Sequence, residues 1–506
     1  SVRYSCGWTS GRAPEKGAMS RLYAFESNMS LTGSNADVRV RVKPSDAGRV
    51  LAALYRELTG VGEAVALDDA TMADVKRASA DLKKAGSAAL VIAGDNNVGH
   101  QRIALAINRF LGSVGQTLLI PSEPGLFQGD DRAYLDLVKS MKAGEVSTLV
   151  VYGVNPAYHG PDAQGFREGL NQVKTSVSTA LFADETGSLC TVLAPRHHWL
   201  ESWDDLMLRP GRMDIAQPTI QPLYDTRHAG ESLLTWIGQP MDWYSFMRAT
   251  QNPSYVEDDM YRDVTWNEAV HNGVLMTGST ERQVPVFLGG DLSAMLRDVN
   301  ARNGEGFELS MYRKTTIGSG EQAANPFLQE TPDPITKVTW DNYITMSQGD
   351  MENMGLNTYI AQEDPASVVE INVEGVAMRL PVVPQPGQAP GTIGVALGYG
   401  RGANNEEIGR AAFQVGENGQ HLMDENGNLV PIGKNVFPLA DLSAGMPDYT
   451  VLGISIEKTD ETYPIACTQM HHTYMGRDSV VKETDFKSYF AEMDAPRGEA
   501  SWNKTI

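Results

Sequence analysis

Cysteine is scarce: the 506-residue chain has three, Cys6, Cys190 and Cys467. They lie too far apart to form CxxC or any other cluster-binding spacing, which excludes a disulfide framework and a self-contained iron–sulfur site, while a single distant bridge stays open. No run of about 18 consecutive apolar residues occurs, so no helix is expected to span a bilayer. Positive charge is also short, with 42 Lys and Arg against 63 Asp and Glu and a net charge of −21. Without a basic stripe, such a chain repels a phosphate backbone, and nucleic-acid binding is excluded. The sequence opens Ser1-Val2-Arg3-Tyr4, without an initiator Met, a basic n-region or an apolar h-region, and is read as a processed chain or a fragment. It has no GxSxG and no GxGxxG, so neither a nucleophile elbow nor a dinucleotide fingerprint is expected.

What is present is an ordinary globular composition, 42% hydrophobic and 21% charged. The length corresponds to about three domains. Residues 21–43 read as a hairpin-like pair, Arg21–Glu26 and Val38–Val42, around a Thr32-Gly33-Ser34-Asn35 turn cluster. Pro44-Ser45-Asp46 then caps a helix whose apolar stripe is Val50, Leu51, Leu54, Tyr55 and Leu58. A second helix covers about 71–85. The apolar runs Ala88–Ala93, Leu118–Ile120, Ser147–Tyr152, Val177–Phe182 and Thr191–Pro195 alternate with helical segments, including 131–142. That alternation over 46–200 predicts a doubly wound α/β sheet with right-handed crossovers and with ligands at the carboxyl ends of its strands.

From 204 to 300 the pattern loosens into loops and helices, with a helix predicted from Trp266 to Met276. Beyond 307, Phe307–Tyr312, Ser367–Val373, Gly375–Val382 and Gly394–Gly398 are strands between Gly/Pro turns, which predicts an all-β barrel module decorated by a helix at 347–355. Segment 400–445 is a long excursion containing a hairpin turn at Asp424–Asn428.

Each polar candidate carries a plain structural reading beside the functional one. The loop Gly94-Asp95-Asn96-Asn97-Val98-Gly99 opens a helix and its amides suit a phosphate, but His100-Gln101 stands where a Walker A sequence has Lys-Ser/Thr, and Asp95 opposes an anion. It reads first as a tight turn. His197-His198 and His471-His472 invite a metal reading, yet adjacent residues of a strand face opposite ways. His159 and Asp162 are better placed for a pocket, although an exposed polar loop is the simpler account. Asp424-Glu425 lacks the ligand order of a calcium loop and reads as a solvated turn. No catalytic, cofactor-binding or metal-ligating residue is assigned.

Several stretches resemble the molybdopterin oxidoreductases, the dimethyl sulfoxide reductase superfamily. Leu149–Pro156 is similar to that family's strand ending in G-x-N-P, and Leu181–Thr186, Cys190–Pro195 and Trp199–Glu201 to its T-E-T-A, A-D-V-V-L-P and W-L-E segments. A narrower resemblance is to the B subunits of Alternative Complex III, carried by Glu26–Asp37, by Asn325–Asn342 with its spaced N-P-F-L-Q-E-T-P-D-P-I-T-K-V-T-W-D-N, by Leu397–Arg401 and by His471–Arg477. The resemblance implies doubly wound molybdopterin-oxidoreductase-like α/β domains followed by a C-terminal β-barrel domain. Residues 1–45 would be part of a split α/β domain, 46–203 an inserted doubly wound α/β domain, 204–306 the return of the split domain, 307–485 the barrel, and 486–506 a linker towards a missing iron–sulfur domain.

The resemblance further implies a non-catalytic scaffold that has lost the molybdopterin, with iron–sulfur clusters only in the adjoining domain. It would sit on the periplasmic face of a quinol-oxidising complex, beside a multihaem cytochrome c subunit and integral membrane quinol-binding subunits. Two alternatives stay open. One is the central part of a catalytic enzyme with two pterin guanine dinucleotides, in which Gly94, Asn155 and Thr186 face guanosine or phosphate oxygens. The other is a free-standing binding protein that borrowed the fold.

Overall fold

The computed structural model describes residues 2–17, 19–119, 129–209, 211–251, 259–276, 292–301, 305–361, 364–404, 406–469 and 485–493. Among the described residues the chain is a mixed α/β protein in which two small parallel sheets and one antiparallel sheet precede a closed six-stranded barrel.

The first two strands, β1 (Tyr23–Glu26) and β2 (Val38–Arg41), pair in parallel, so the expected hairpin is corrected to a short crossover. The physical reason lies in the turn cluster. Ser30 caps the helical turn Leu31–Ser34 by accepting from the Gly33 amide, and Glu26 at the end of β1 binds the Ser30 amide and hydroxyl at 3.1 and 2.5 Å. The chain therefore spirals between the strands instead of reversing. The helices Ala47–Thr59, Asp69–Ala85 and Val98–Phe110 follow, and their apolar stripes, with Leu296 and Val299 from the helix Leu292–Ala301, make one core. Asp46 does not cap the first of these with its side chain; it pairs with Arg49 at 2.6 Å. Ser45 next to it is buried on the Glu308 carboxylate at 2.7 and 2.8 Å, joining this unit to the barrel.

Ala88–Ala93 is apolar but is not a ladder strand: Ala88 ends a short 3-10 turn, and residues 89–93 pair with no strand among the described residues. The Asn108 amide side chain takes the Val91 N–H and C=O at 2.8 and 2.7 Å, which replaces strand pairing. Leu118 makes only a bridge to Val114, and Ile120 lies outside the described residues. The parallel sheet among the described residues therefore has three strands in the order β3-β4-β5: β3 (Thr148–Val151), β4 (Thr175–Ser178) and β5 (Val192–Leu193). One face packs on the helices Asp131–Lys142 and Ala163–Leu170 through Val138, Met141, Val151 and Phe166. Val150 and Val192, on the other face, remain exposed, unlike the fully buried strands expected of a doubly wound sheet.

Residues 204–276, expected to be loops and helices, contain the antiparallel strands β6 (Asp204–Arg209), β7 (Arg212–Ala216) and β8 (Val274–Met276). The predicted helix Trp266–Met276 instead runs Asp259–Asn272 and stops at Gly273, whose φ of +68° turns the chain into β8.

The barrel is closed in the order β10-β12-β11-β14-β9-β13, from β9 (Phe307–Tyr312), β10 (Ile344–Met346), β11 (Ala366–Val373), β12 (Val376–Pro384), β13 (Thr392–Ala396) and β14 (Thr450–Tyr463). Its interior is a layer of buried Leu, Ile, Val and Met. Closure leaves no unpaired edge, the usual hazard of a sheet. The predicted decoration at 347–355 is the helix Gln348–Asn353, and Asp424–Asn428 is the expected turn, closed by the Met423–Leu429 bridge and by Asp424 accepting from the Asn426 and Asn428 amides.

Candidate functional site

The carboxyl ends of β3 and β4 meet the barrel's long excursion, and the contact is polar. After β4, Asp184 Oδ1 accepts from the Thr186 and Gly187 amides at 3.1 and 2.7 Å, an Asx-type turn that directs Glu185 inward. Asn155 follows β3 and heads the short helix Pro156–His159. Its Nδ2 donates to Glu185 Oε2 at 2.7 Å, its Oδ1 accepts from the Thr186 hydroxyl at 2.7 Å, and that hydroxyl accepts from the Ala157 amide at 3.0 Å.

The counter-charge comes from the barrel side. Beyond β13 the turn Gly398-Tyr399-Gly400-Arg401-Gly402 has positive φ at all three glycines, and a side chain at 400 would collide with the Asn435 backbone. The turn carries Arg401 to Glu185, where Nε and Nη2 donate to Oε1 and Oε2 at 2.8 and 2.9 Å, and the Gly402 amide donates to Oε1 at 2.9 Å. Arg401 also donates to the Gly320 carbonyl and stacks 4.5 Å over the Tyr158 ring, whose hydroxyl donates to the Tyr399 carbonyl at 2.7 Å. The two charged side chains are 7% and 3% exposed, so this is a bidentate ion pair inside the protein.

Burial opposes ionisation of Glu185, but the Arg401 hydrogen bonds and charge, with Asn155 and Gly402, outweigh it and hold the carboxyl below its ordinary value. For Arg401 burial works against the charge and Glu185 more than restores it. Asp184 goes the other way: burial raises it despite its two amide donors.

A second buried cation lies within the barrel module. Lys314 follows β9, donates to the Asp341 carbonyl at 2.7 Å and the Tyr399 hydroxyl at 3.2 Å, and sits 4.5 Å from the Tyr343 ring centroid. Burial pushes its pKa down to about 8 against the pull of Asp333 and Asp341. Asp341, accepting from Tyr463 at 3.1 Å, is pushed up to about 6 by burial.

The remaining sequence candidates are scattered. Asn97 caps the helix Val98–Phe110, and Asp95 meets buried His100 at 2.6 Å, while Asn96 reaches the Pro447 carbonyl. Gly94 takes no part in the hydrogen bonds that join Asn155, Glu185 and Thr186. His198 caps the turn Trp199–Glu201 in a reciprocal box with Glu201, and His197 meets the Thr226 hydroxyl at 2.7 Å. His159 packs on Phe437, Asp162 caps Ala163–Leu170, and His471-His472 lies outside the described residues. Among the described residues no group of three or more His, Cys, Asp or Glu is placed to hold a metal, and no helix is long and apolar enough to cross a membrane. A groove of about 430 Å³ opens beside Val373, Leu439 and Leu452 on the barrel, away from the strand ends.

Arg401 and Lys314 were not singled out from sequence as site residues. The only local signal for Arg401 is its alternation with glycines, Gly398-Tyr399-Gly400-Arg401-Gly402.

Acetylene hydratase from Pelobacter acetylenicus matches this architecture with a TM-score of 0.58 at 13% identity, over 88% of this chain and 74% of that one. The chain therefore shares the fold of that hydratase. In sequence it is similar to the menaquinone reductase molybdopterin-binding-like subunit of Nitratidesulfovibrio vulgaris (strain Hildenborough), 23% identical over 463 residues covering 87% of this chain. The chain spans about 60% of the length of that curated relative. No family model matches.

Proposed function

We propose that this chain is the scaffold portion of an electron-transfer subunit in a membrane-associated quinone or quinol oxidoreductase complex, of the Alternative Complex III kind. Its molybdopterin-type crevice serves assembly instead of catalysis. The observation that carries the reading is the Arg401–Glu185 pair. At the strand ends, where a dinucleotide pterin's phosphates would need donors, Asn155, Thr186 and Glu185 are consumed by one another and by a guanidinium delivered from the barrel. A buried carboxylate whose cation is already engaged does not fit an incoming pyrophosphate. The catalytic alternative would require Asn155 and Thr186 to abandon these partners.

The relative's description as a menaquinone reductase subunit supports placement in a quinone-reacting complex. On this reading, iron–sulfur clusters belong to an adjoining domain, electrons pass to or from a multihaem cytochrome c, membrane subunits hold the quinone, and this chain is peripheral on the periplasmic face. The test is to denature the full-length protein, oxidise any released pterin with iodine and measure its fluorescence. The scaffold reading expects none, and a near-stoichiometric pterin signal would overturn it.

A further inference from the structure

The excursion between 400 and 445 turns back on itself twice with the same three residues. Glu417-Asn418-Gly419 and Glu425-Asn426-Gly427 each form the tip of a small hairpin, closed by the Val415–His421 and Met423–Leu429 bridges. The backbones of the two tips match. The Gly419 amide donates to the Gly416 carbonyl at 2.9 Å and the Gly416 amide to the Gln420 carbonyl at 2.8 Å, as the Gly427 amide donates to the Asp424 carbonyl at 3.0 Å and the Asp424 amide to the Asn428 carbonyl at 2.8 Å. Gly419 and Gly427 close their turns at φ of +74° and +80°, and nothing lies within 4 Å of where a Cβ would stand on either. That left-handed position favours glycine, so each asparagine is followed by the residue that shields its own amide nitrogen least. Both asparagines are exposed.

The side chains differ. Asn418 Oδ1 accepts from the Gln420 amide at 3.0 Å, which makes Cγ more electrophilic, while no hydrogen bond among the described residues holds Nδ2. In the second tip the Asn426 side-chain amide interacts with the Asp424 carboxylate, which also accepts from the Asn426 and Asn428 backbone amides at 2.9 and 2.8 Å. A carboxylate in that place retains the amide as a leaving group and opposes negative charge on the neighbouring backbone nitrogen. Each glycine amide must leave its carbonyl partner before it can react, at equal cost in the two tips, so the side chains decide the difference.

We propose that Asn418 is a site of spontaneous deamidation in the folded chain, and that Asn426, in the same sequence and backbone setting, is spared. The Gly419 amide nitrogen gives its proton to solvent and attacks Cγ of Asn418. The new N–Cγ bond closes a succinimide ring, the Cγ–Nδ2 bond breaks, and Nδ2 takes up a proton and leaves as ammonia. The Gln420 amide meets the negative charge that develops on Oδ1 during the attack, as an oxyanion-binding amide does. Water then opens the ring: at the side-chain carbonyl it yields Asp, and at the backbone carbonyl an isoaspartyl link. The sum is Asn and water to Asp and ammonia, with no electron transferred. The product adds a negative charge beside Glu417, and the isoaspartyl form puts an extra methylene into the turn, which the Gly416–Gln420 pairing does not accommodate.

The test incubates the full-length chain at mildly alkaline pH, folded and in urea, and follows the peptides bearing Asn418 and Asn426 by mass spectrometry. Heavy-oxygen water during the incubation alone tells conversion there from conversion during digestion. In the folded chain Asn418 should convert about fivefold faster than Asn426, the factor that one net hydrogen bond is worth in a transition state, and its product should include the isoaspartyl form. In urea the two Glu-Asn-Gly sites should convert at equal rates. Asp424→Ala, at an exposed side chain, should bring Asn426 up towards Asn418 in the folded chain and leave Asn418 unchanged. The proposal is overturned by equal rates in the folded chain, by a faster Asn426, by the same ratio persisting in urea, or by an Asn418 that stays intact when folded while the unfolded chain converts.

Discussion

Arg401 and Lys314 are both cations removed from water, yet the protein treats them in opposite ways. Arg401 meets a carboxylate in a two-point pair and keeps its charge, with its pKa raised despite burial. Lys314 meets a carbonyl, a phenol and aromatic faces, and burial lowers it to about 8. The difference teaches that burial alone does not decide ionisation; a directly bonded opposite charge does. It also assigns roles: the first pair joins the strand ends to the barrel, and the second cation lies within the barrel module.

The largest test of this contrast breaks the first pair. Arg401→Met strands the Glu185 carboxylate and should cost about 3–5 kcal/mol in denaturant unfolding, whereas Glu185→Leu combined with Arg401→Met should recover most of it. If the single variant is near neutral, the pair does not hold the strand ends to the barrel.

Next in size is a pH effect of defined sign. Between about pH 8 and the ordinary lysine value near 10.4, an unfolded chain retains the Lys314 proton that the folded chain has released, so stability rises with pH. The contribution is about 3 kcal/mol, and Lys314→Met should remove it. Asp341 acts inversely: its folded value of about 6 lies above the unfolded one, so its contribution falls as pH rises from about 4 to about 6, and Asp341→Asn should flatten that limb. Glu185, held low in the folded state, contributes stability above its unfolded value and loses it only as pH falls through the folded one.

A smaller effect is expected for Tyr158→Phe, which removes the hydroxyl donor to Tyr399 while keeping the ring under Arg401, at about 1 kcal/mol. Smallest of all, Arg379→Ala breaks a solvent-exposed pair of bridges to Glu370 and Glu461 and should leave the unfolding midpoint unchanged within error.

The barrel was legible where its strands carry β-branched runs between Gly and Pro turns, as in Val368–Val373 and Leu380–Val383. Strand β14 was not, because its stretch Glu457–Glu461 presents mostly charged and polar residues, exposed at four of the five positions. The apolar run Ala88–Ala93 misled because sequence cannot show that Asn108, in the following helix, satisfies the backbone there. At the site, Asn155 and Thr186 were named from sequence in the polar loops that follow apolar runs, and the structure joins them by a hydrogen bond in the loops after β3 and β4. Their cation was not, since Arg401 lies 216 residues from Glu185 and only closure of the fold brings them together.

On the scaffold reading, the strand ends are filled by the protein's own Arg401–Glu185 ion pair and hold no pterin. The most direct measurement is molybdenum and iron per polypeptide in the purified full-length assembly, by elemental mass spectrometry. The account predicts iron with no molybdenum, and near-stoichiometric molybdenum would contradict it.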